Sequence, residues 1–248
     1  MKILLTNDDG YKSPGIKYLR NCLSNYGDVI LAAPSKNMSA CSSSLSVHNK
    51  VEVKNPSLNN YIIKGTPADC VHIVSKGILK KLPDIVFSGI NFGSNLGDDV
   101  IYSGTVAGAI EGRFLGLPSI ALSLASWECN HFDTAGNIAK ILVDQIDKVP
   151  ISNNTIINVN VPDIPMNEIL GIKSTRLGSR HKSAPSIQDS KDPSLYWIGE
   201  NGKEADNGEN TDFYAISNNY VSVTPLQIDL TKYSEVKPLS SWIDNISY

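Results

Sequence analysis

Short runs of apolar, β-branched residues recur along the chain at residues 3–6, 29–33, 84–88, 119–123 and 155–161. They are continuous rather than alternating, which is the pattern of strands buried on both faces of a parallel sheet. Between them lie helix-like stretches with start signals of their own. Ser13-Pro14 reads as N-cap and first helical residue, followed by a stripe of Ile16, Leu19 and Leu23 that ends near Gly27. Thr66-Pro67-Ala68-Asp69 repeats the device, with Asp69 in the first turn and Val71, Val74 and Ile78 behind it. Asp133 is placed to cap a third helix carrying Ile138, Ile141, Leu142 and Ile146 on one face. Strands alternating with helices predict an α/β fold with a Rossmann-like, doubly wound, mostly parallel sheet.

The pattern degrades over residues 163–219, where Pro, Gly, Asn, Ser and charges surround one strand-like island, Ser194-Leu195-Tyr196-Trp197-Ile198. A structureless loop of that length is rare inside a compact domain, so a β-hairpin excursion is expected there, serving as an arm to another subunit. Regular structure resumes at Tyr220-Val221-Ser222-Val223-Thr224-Pro225-Leu226, and a short helix is expected around Trp242-Ile243. The whole chain, residues 1–248, is read as one domain.

Composition narrows the function. A net charge of -3, with 41% hydrophobic and 19% charged residues, offers no basic stripe for long nucleic acids, although a single nucleotide needs only a local site. The four cysteines lack C-x-x-C spacing and suggest neither a zinc site nor a disulfide framework. No window approaches a membrane span, and the apolar start of the chain is too short for a signal peptide, so a cytoplasmic location is expected.

In an open parallel sheet, ligands bind beyond the carboxyl ends of the strands. Beyond the first strand stands Asn7-Asp8-Asp9-Gly10. On spacing alone this is a polar turn with Gly10 at positive φ. Yet adjacent carboxylates in a partly dry crevice repel, and a divalent cation is the usual remedy. Beyond the second strand comes a Ser-rich loop around Ser39. Beyond the third comes Ser88 to Asp99, whose glycines fall at every fourth position, unlike the G-x-G-x-x-G dinucleotide fingerprint. That loop offers the neutral amides Asn91 and Asn95. Next, Ser103-Gly104-Thr105 opens a helix of small residues whose first N–H groups and hydroxyls form a potential phosphate cradle.

These stretches resemble the SurE family of stationary-phase survival proteins, which are metal-dependent 5'/3'-nucleotidases. The matching segments are NDDG, the AP dipeptide before the Ser39 loop, GTPADC, the run from Ser88 to Gly112, NVNVP, YWIG, TDF and YVSVTPL. The resemblance implies that Asp8, Asp9, Ser39 and Asn91 coordinate one divalent cation per subunit. It further implies that Asn95, Ser103, Gly104 and Thr105 bind the substrate phosphate, and Asp8, Asp9 and Asn95 are the candidate catalytic residues. It also implies a homodimer or homotetramer with exchanged C-terminal elements.

Two carboxylates, a hydroxyl and an amide suit Mg2+ or Mn2+, with Ca2+ able to take the place in a crystal, and differ from a Cys/His zinc set. The expected reaction is hydrolysis of nucleoside 5'-monophosphates, with 3'-monophosphates as further substrates, by in-line attack of water. Attack by Asp8 or Asp9 itself is the chemical alternative. A non-catalytic nucleotide-binding regulator and a phosphatase acting on short polyphosphate are the alternatives in function.

Overall fold

The computed structural model describes residues 1–148, 152 and 154–246. Its strands are β1 (Lys2–Thr6), β2 (Asp28–Pro34), β3 (Val53–Ser57), β4 (Asn60–Ile63), β5 (Ile85–Phe92), β6 (Ser119–Leu124), β7 (Ile156–Val161), β8 (Gly171–Ser174), β9 (Ser179–Arg180), β10 (Ile187–Gln188), β11 (Tyr196–Trp197), β12 (Glu204–Asp206) and β13 (Tyr220–Leu226). Its helices are α1 (Pro14–Leu23), α2 (Pro67–His72), α3 (Gly104–Phe114), α4 (Phe132–Gln145), α5 (Asp212–Ser217) and α6 (Tyr233–Ile243).

Nine strands form the main sheet in the order β3-β4-β2-β1-β5-β6-β7-β13-β8. From β4 through β7 all neighbours are parallel, whereas β3 pairs antiparallel with β4 and β13 antiparallel with β7. The order proceeds outward in both directions from the β1/β5 pair, so the switch point of the sheet lies there. The continuous apolar runs are explained by burial on both faces. Ile3 and Leu5 pack with Ile16, Leu19, Ala135 and Ile138 of α1 and α4. Leu4, on the opposite face, packs with Cys70, Val71 and Val74 from α2 and the helical turn after it.

Helix α3 is seated by its glycines. Gly104, Gly108 and Gly112 stand one turn apart and face the sheet, where any Cβ would collide. At Gly108 it would meet Thr6 Cγ2 at 2.7 Å and Ser88 Oγ at 2.8 Å; at Gly112, Ser119 Oγ at 2.4 Å. The helix therefore lies close against β1, β5 and β6, with its first turn over the switch point.

Four expectations need amendment. Ser13 holds the N-cap position of α1 but makes no capping hydrogen bond, unlike Thr66, which forms a full capping box with Asp69. Asp133 lies inside the first turn of α4, and the N-cap is His131. The distant Asp163 carboxylate accepts from the Asn130 and His131 amides at 2.9 and 2.7 Å, anchoring that helix start from another segment. The excursion over residues 163–219 is more than one hairpin. Strand β8 joins the main sheet, β9 pairs with β12, β10 pairs with β11, and α5 follows. The expected short helix at the end is the 11-residue α6, none of whose residues is buried.

The second carboxylate pair of the chain, Asp98-Asp99, anchors this arm. Arg180 reaches both oxygens of Asp99 at 2.7–3.1 Å, and its amide donates to Asp98. Fully buried Asp212 accepts from the amides of Gly97 at 2.7 Å and Gly178 at 2.8 Å, joining the loop after β5 to the arm.

Because the α3 seam has no room, Gly108→Ala is expected to lower stability by roughly 1–3 kcal/mol in urea titration. Gly77→Ala, with nothing within 4 Å, is expected to stay within about 0.5 kcal/mol of the parent.

Candidate active site

At the switch point β1 delivers Asp8 and Asp9 to the crevice. Asp8 is 4% exposed, and its carboxylate meets the start of α3. Thr105 Oγ1 donates to Asp8 Oδ1 at 2.5 Å. A Cβ on Gly104 would stand 2.8 Å from Asp8 Cβ and 3.0 Å from Cys41 Sγ, so only glycine permits this approach. Burial pushes the Asp8 carboxyl above the usual carboxylate range, against the opposing pull of Thr105's hydroxyl and amide. Asp9 is only partly buried, yet its carboxyl is pushed up to about 7, first by desolvation and then by the adjacent Asp8 charge. Among the described residues, neither carboxylate has a Lys, Arg or His ion-pair partner.

Two further strand ends close on this pair. The Asp8 carbonyl accepts from the Met38 amide at 2.7 Å, which brings the exposed Ser39 beside β1. The Ser39 loop is also tied to the approach of α3, since Ser42 donates through its amide to Tyr102 O and through its hydroxyl to Ile101 O. On the other side, the Phe92 amide donates to Asp9 Oδ2 at 3.3 Å, which places the end of β5, with Asn91, against Asp9. The Asn91 Nδ2 donates to Gly93 O at 2.8 Å, leaving Oδ1 as its unengaged end.

Asn95 is held by partners other than the two carboxylates. Its amide donates to Asn160 Oδ1 at 2.7 Å, its carbonyl accepts from Asn158 and Asn160, and its Nδ2 donates to Ser123 Oγ at 2.7 Å. The ends of β6 and β7 thus fix it. Ser103 is the N-cap of α3, its Oγ accepting from the Val106 amide at 3.0 Å. Its hydroxyl proton remains free to donate, and Gly104 N–H, at the helix start, has no intrahelical acceptor.

A model of the family described as "Survival protein SurE" matches residues 3–184. The chain belongs to the SurE family. A protein named 5'-nucleotidase SurE from Ruthia magnifica subsp. Calyptogena magnifica is 60% identical over 99% of this chain and 100% of its own length. Its namesake from Nitrosococcus oceani is 49% identical over 99% of each chain. The crystal structure of the SurE protein from Aquifex aeolicus superposes with a TM-score of 0.88 at 41% identity, covering 98% of this chain and all of that one.

Within this SurE chain the structure draws Asp8, Asp9, Ser39, Asn91, Ser103, Gly104 and Thr105 to one crevice. It sets Asn95 on the side facing β6 and β7. Sequence reasoning missed the turn of the Thr105 hydroxyl onto Asp8. It also missed the Ser123, Asn158 and Asn160 frame around Asn95, although NVNVP marked two of those residues. Among the described residues, no three His, Cys, Asp or Glu side chains form a metal-holding group. A cation here would rest on two carboxylates plus neutral oxygens. That donor set fits a hard divalent ion: the negative charge is uncompensated, and both an amide oxygen and an exposed hydroxyl flank it.

The raised Asp9 pKa has a definite consequence for metal-free protein. Unfolded Asp titrates near 3.9, so between about pH 4 and 7 the folded chain binds more protons than the unfolded one, and stability falls as pH rises through that window. Asp9→Asn removes this penalty. In chelator-treated samples at pH 8 the variant is expected to melt above the wild type, by an amount worth at most roughly 4 kcal/mol, and the two curves should converge near pH 4.

Proposed function

We propose that this chain is a divalent-metal-dependent phosphomonoesterase that hydrolyses nucleoside 5'-monophosphates, and 3'-monophosphates as well, to nucleoside and phosphate. The observation that carries the reading is the Asp8–Asp9 pair, which has no Lys, Arg or His ion-pair partner among the described residues and lies against the first turn of a helix. Membership of the SurE family and the names of its full-length relatives support it.

Asp8, Asp9, Ser39 and Asn91 would hold Mg2+ or Mn2+. When bound there, the cation supplies a Lewis acid for a phosphate oxygen and positive charge near the attacking water. The remaining work falls to the chain. Gly104 N–H, the Ser103 hydroxyl and the Asn95 amide hold the phosphate, and the positive end of α3 stabilises charge that grows on its oxygens. Thr105 fixes the Asp8 carboxylate through its hydroxyl, so that its lone pairs face the crevice. Water attacks phosphorus in line and gives up a proton as its oxygen joins phosphorus, the bond from phosphorus to the nucleoside oxygen breaks, and the leaving oxygen takes up a proton, so that one water is consumed in all. The product is a nucleoside alcohol and inorganic phosphate.

The apolar surface left on α6 and the arm supports a homodimer or homotetramer with exchanged C-terminal elements. Val236, Leu239, Trp242 and Ile243 are all at least half exposed, as are Tyr196, Trp197 and Ile198. Residues 1–248 are taken as one domain. Four free cysteines fit a reducing cytoplasm, and among the described residues no helix is long and apolar enough to cross a membrane.

Phosphate release from nucleoside monophosphates is the test. Activity is expected with Mn2+ or Mg2+ and to vanish with chelator, and Asp8→Asn is expected to lose at least roughly a hundredfold in kcat. Metal-independent turnover, or an active Asp8→Asn, would overturn the reading. Thr105→Val is expected to lose roughly 10–100-fold, through weaker metal affinity measured by Mn2+ titration, with Thr105→Ser restoring most of it.

A further inference from the structure

The loop carrying Asn91 and Asn95 turns at Gly93, with φ at +90°. The Gly93 carbonyl accepts from Asn91 Nδ2, and its amide is held by the carbonyls of Leu124, at the end of β6, and Ser126 just beyond it. Against this glycine lies the indole of Trp127. A Cβ added at Gly93 would stand 3.1 Å from two carbons of the six-membered ring and 3.2 Å from a third. The ring therefore rests on bare backbone, on a residue hydrogen-bonded to Asn91. Its own loop is tied down as well: Ser126 Oγ accepts from the Glu128 and Cys129 amides at 3.1 and 3.4 Å.

Trp127 is nonetheless 85% exposed. Large aromatic side chains are ordinarily well buried, because they contribute the largest apolar areas of all residues. Here one is seated on a turn beside the crevice and left open to solvent. Such a surface suits one further flat ring. Every nucleobase presents a π-face, and stacking on an indole needs no particular hydrogen-bonding edge.

We propose that Trp127 is the platform for the substrate's nucleobase, an inference that rests on the nucleotidase reading of the neighbouring crevice. The phosphate lies at the start of α3, the sugar leads away past Asn91 and Gly93, and the base stacks on the open side of the indole. The platform accepts any base and favours purines over pyrimidines, because the larger ring system covers more of it. Trp127 acts on specificity and contributes nothing to the reacting atoms.

Two measurements test this. The first is the ratio of kcat/KM for adenosine 5'-monophosphate to that for ribose 5-phosphate, which lacks a base. Trp127→Ala is expected to lower the ratio roughly tenfold, through KM for the nucleotide, and Trp127→Phe to retain most of it. A ratio in Trp127→Ala equal to that of the wild type would overturn the proposal. The second is independent of turnover. The chain has three tryptophans, so Trp197→Phe and Trp242→Phe together leave Trp127 as the sole indole. Stopped-flow fluorescence, read before hydrolysis, is expected to show quenching by adenosine 5'-monophosphate, less by uridine 5'-monophosphate and none by ribose 5-phosphate. Equal signals from all three, or none from the adenine nucleotide, would contradict it. Should no phosphomonoester be hydrolysed, the reading of the reaction falls, and the fluorescence titration still decides the platform.

Discussion

Two like charges side by side in a crevice drier than water are costly, and the structure around Asp8 and Asp9 is arranged about that cost. Burial pushes both carboxyls upward, and the Asp8 charge pushes Asp9 further. The ordinary protein solution is an Arg or Lys brought in from elsewhere, and the same chain uses it at Asp98-Asp99, where Arg180 docks. At Asp8-Asp9 it instead brings the positive end of α3, a hydroxyl, and a set of neutral oxygens. A helix end carries only about half an elementary charge. It offsets part of the repulsion; under the proposed function a cation from solution would offset the rest.

The position of that helix end depends on packing rather than on polar contacts. Gly104, Gly108 and Gly112 let α3 lie on β1, β5 and β6 with backbone against side chain. A single added methyl on this seam would lift the first turn from Asp8, and the hydrogen bond from Thr105 would lengthen with it. Stability and site geometry are coupled through one row of missing side chains. The arm is coupled to the same region, since Asp212 ties Gly97 to Gly178 and Arg180 grips the turn just before Ser103.

What could be read in the sequence follows from how local each cause is. The five central strands were legible because burial on both faces leaves continuous apolar runs, and Thr66 was legible because its capping box closes within three residues. Strand β3 escaped notice because the edge strand Val-Lys-Asn-Pro-Ser is largely exposed and carries no apolar pattern, and β4 because it is only four residues long. The cap of α4 was misplaced because Asp163, more than thirty residues away, does the anchoring. Helix α6 was underestimated because it buries nothing within this chain, and Pro238 interrupts its pattern. The SurE resemblance singled out the candidate site residues, yet the two Asp-Asp pairs look alike in the sequence. Only the partners reached across the fold, Thr105 for one and Arg180 for the other, distinguish a proposed metal site from a structural anchor.

The central claim is that Asp8, Asp9, Ser39 and Asn91 share one cation beside the start of α3. Anomalous scattering from a crystal grown with Mn2+ measures this directly. The account expects a single strong peak bridging both carboxylates, at ordinary metal–oxygen distance from Asn91 Oδ1 and the Ser39 hydroxyl. A peak elsewhere in the fold, or a well-diffracting Mn2+ crystal with none at Asp8 and Asp9, would contradict it.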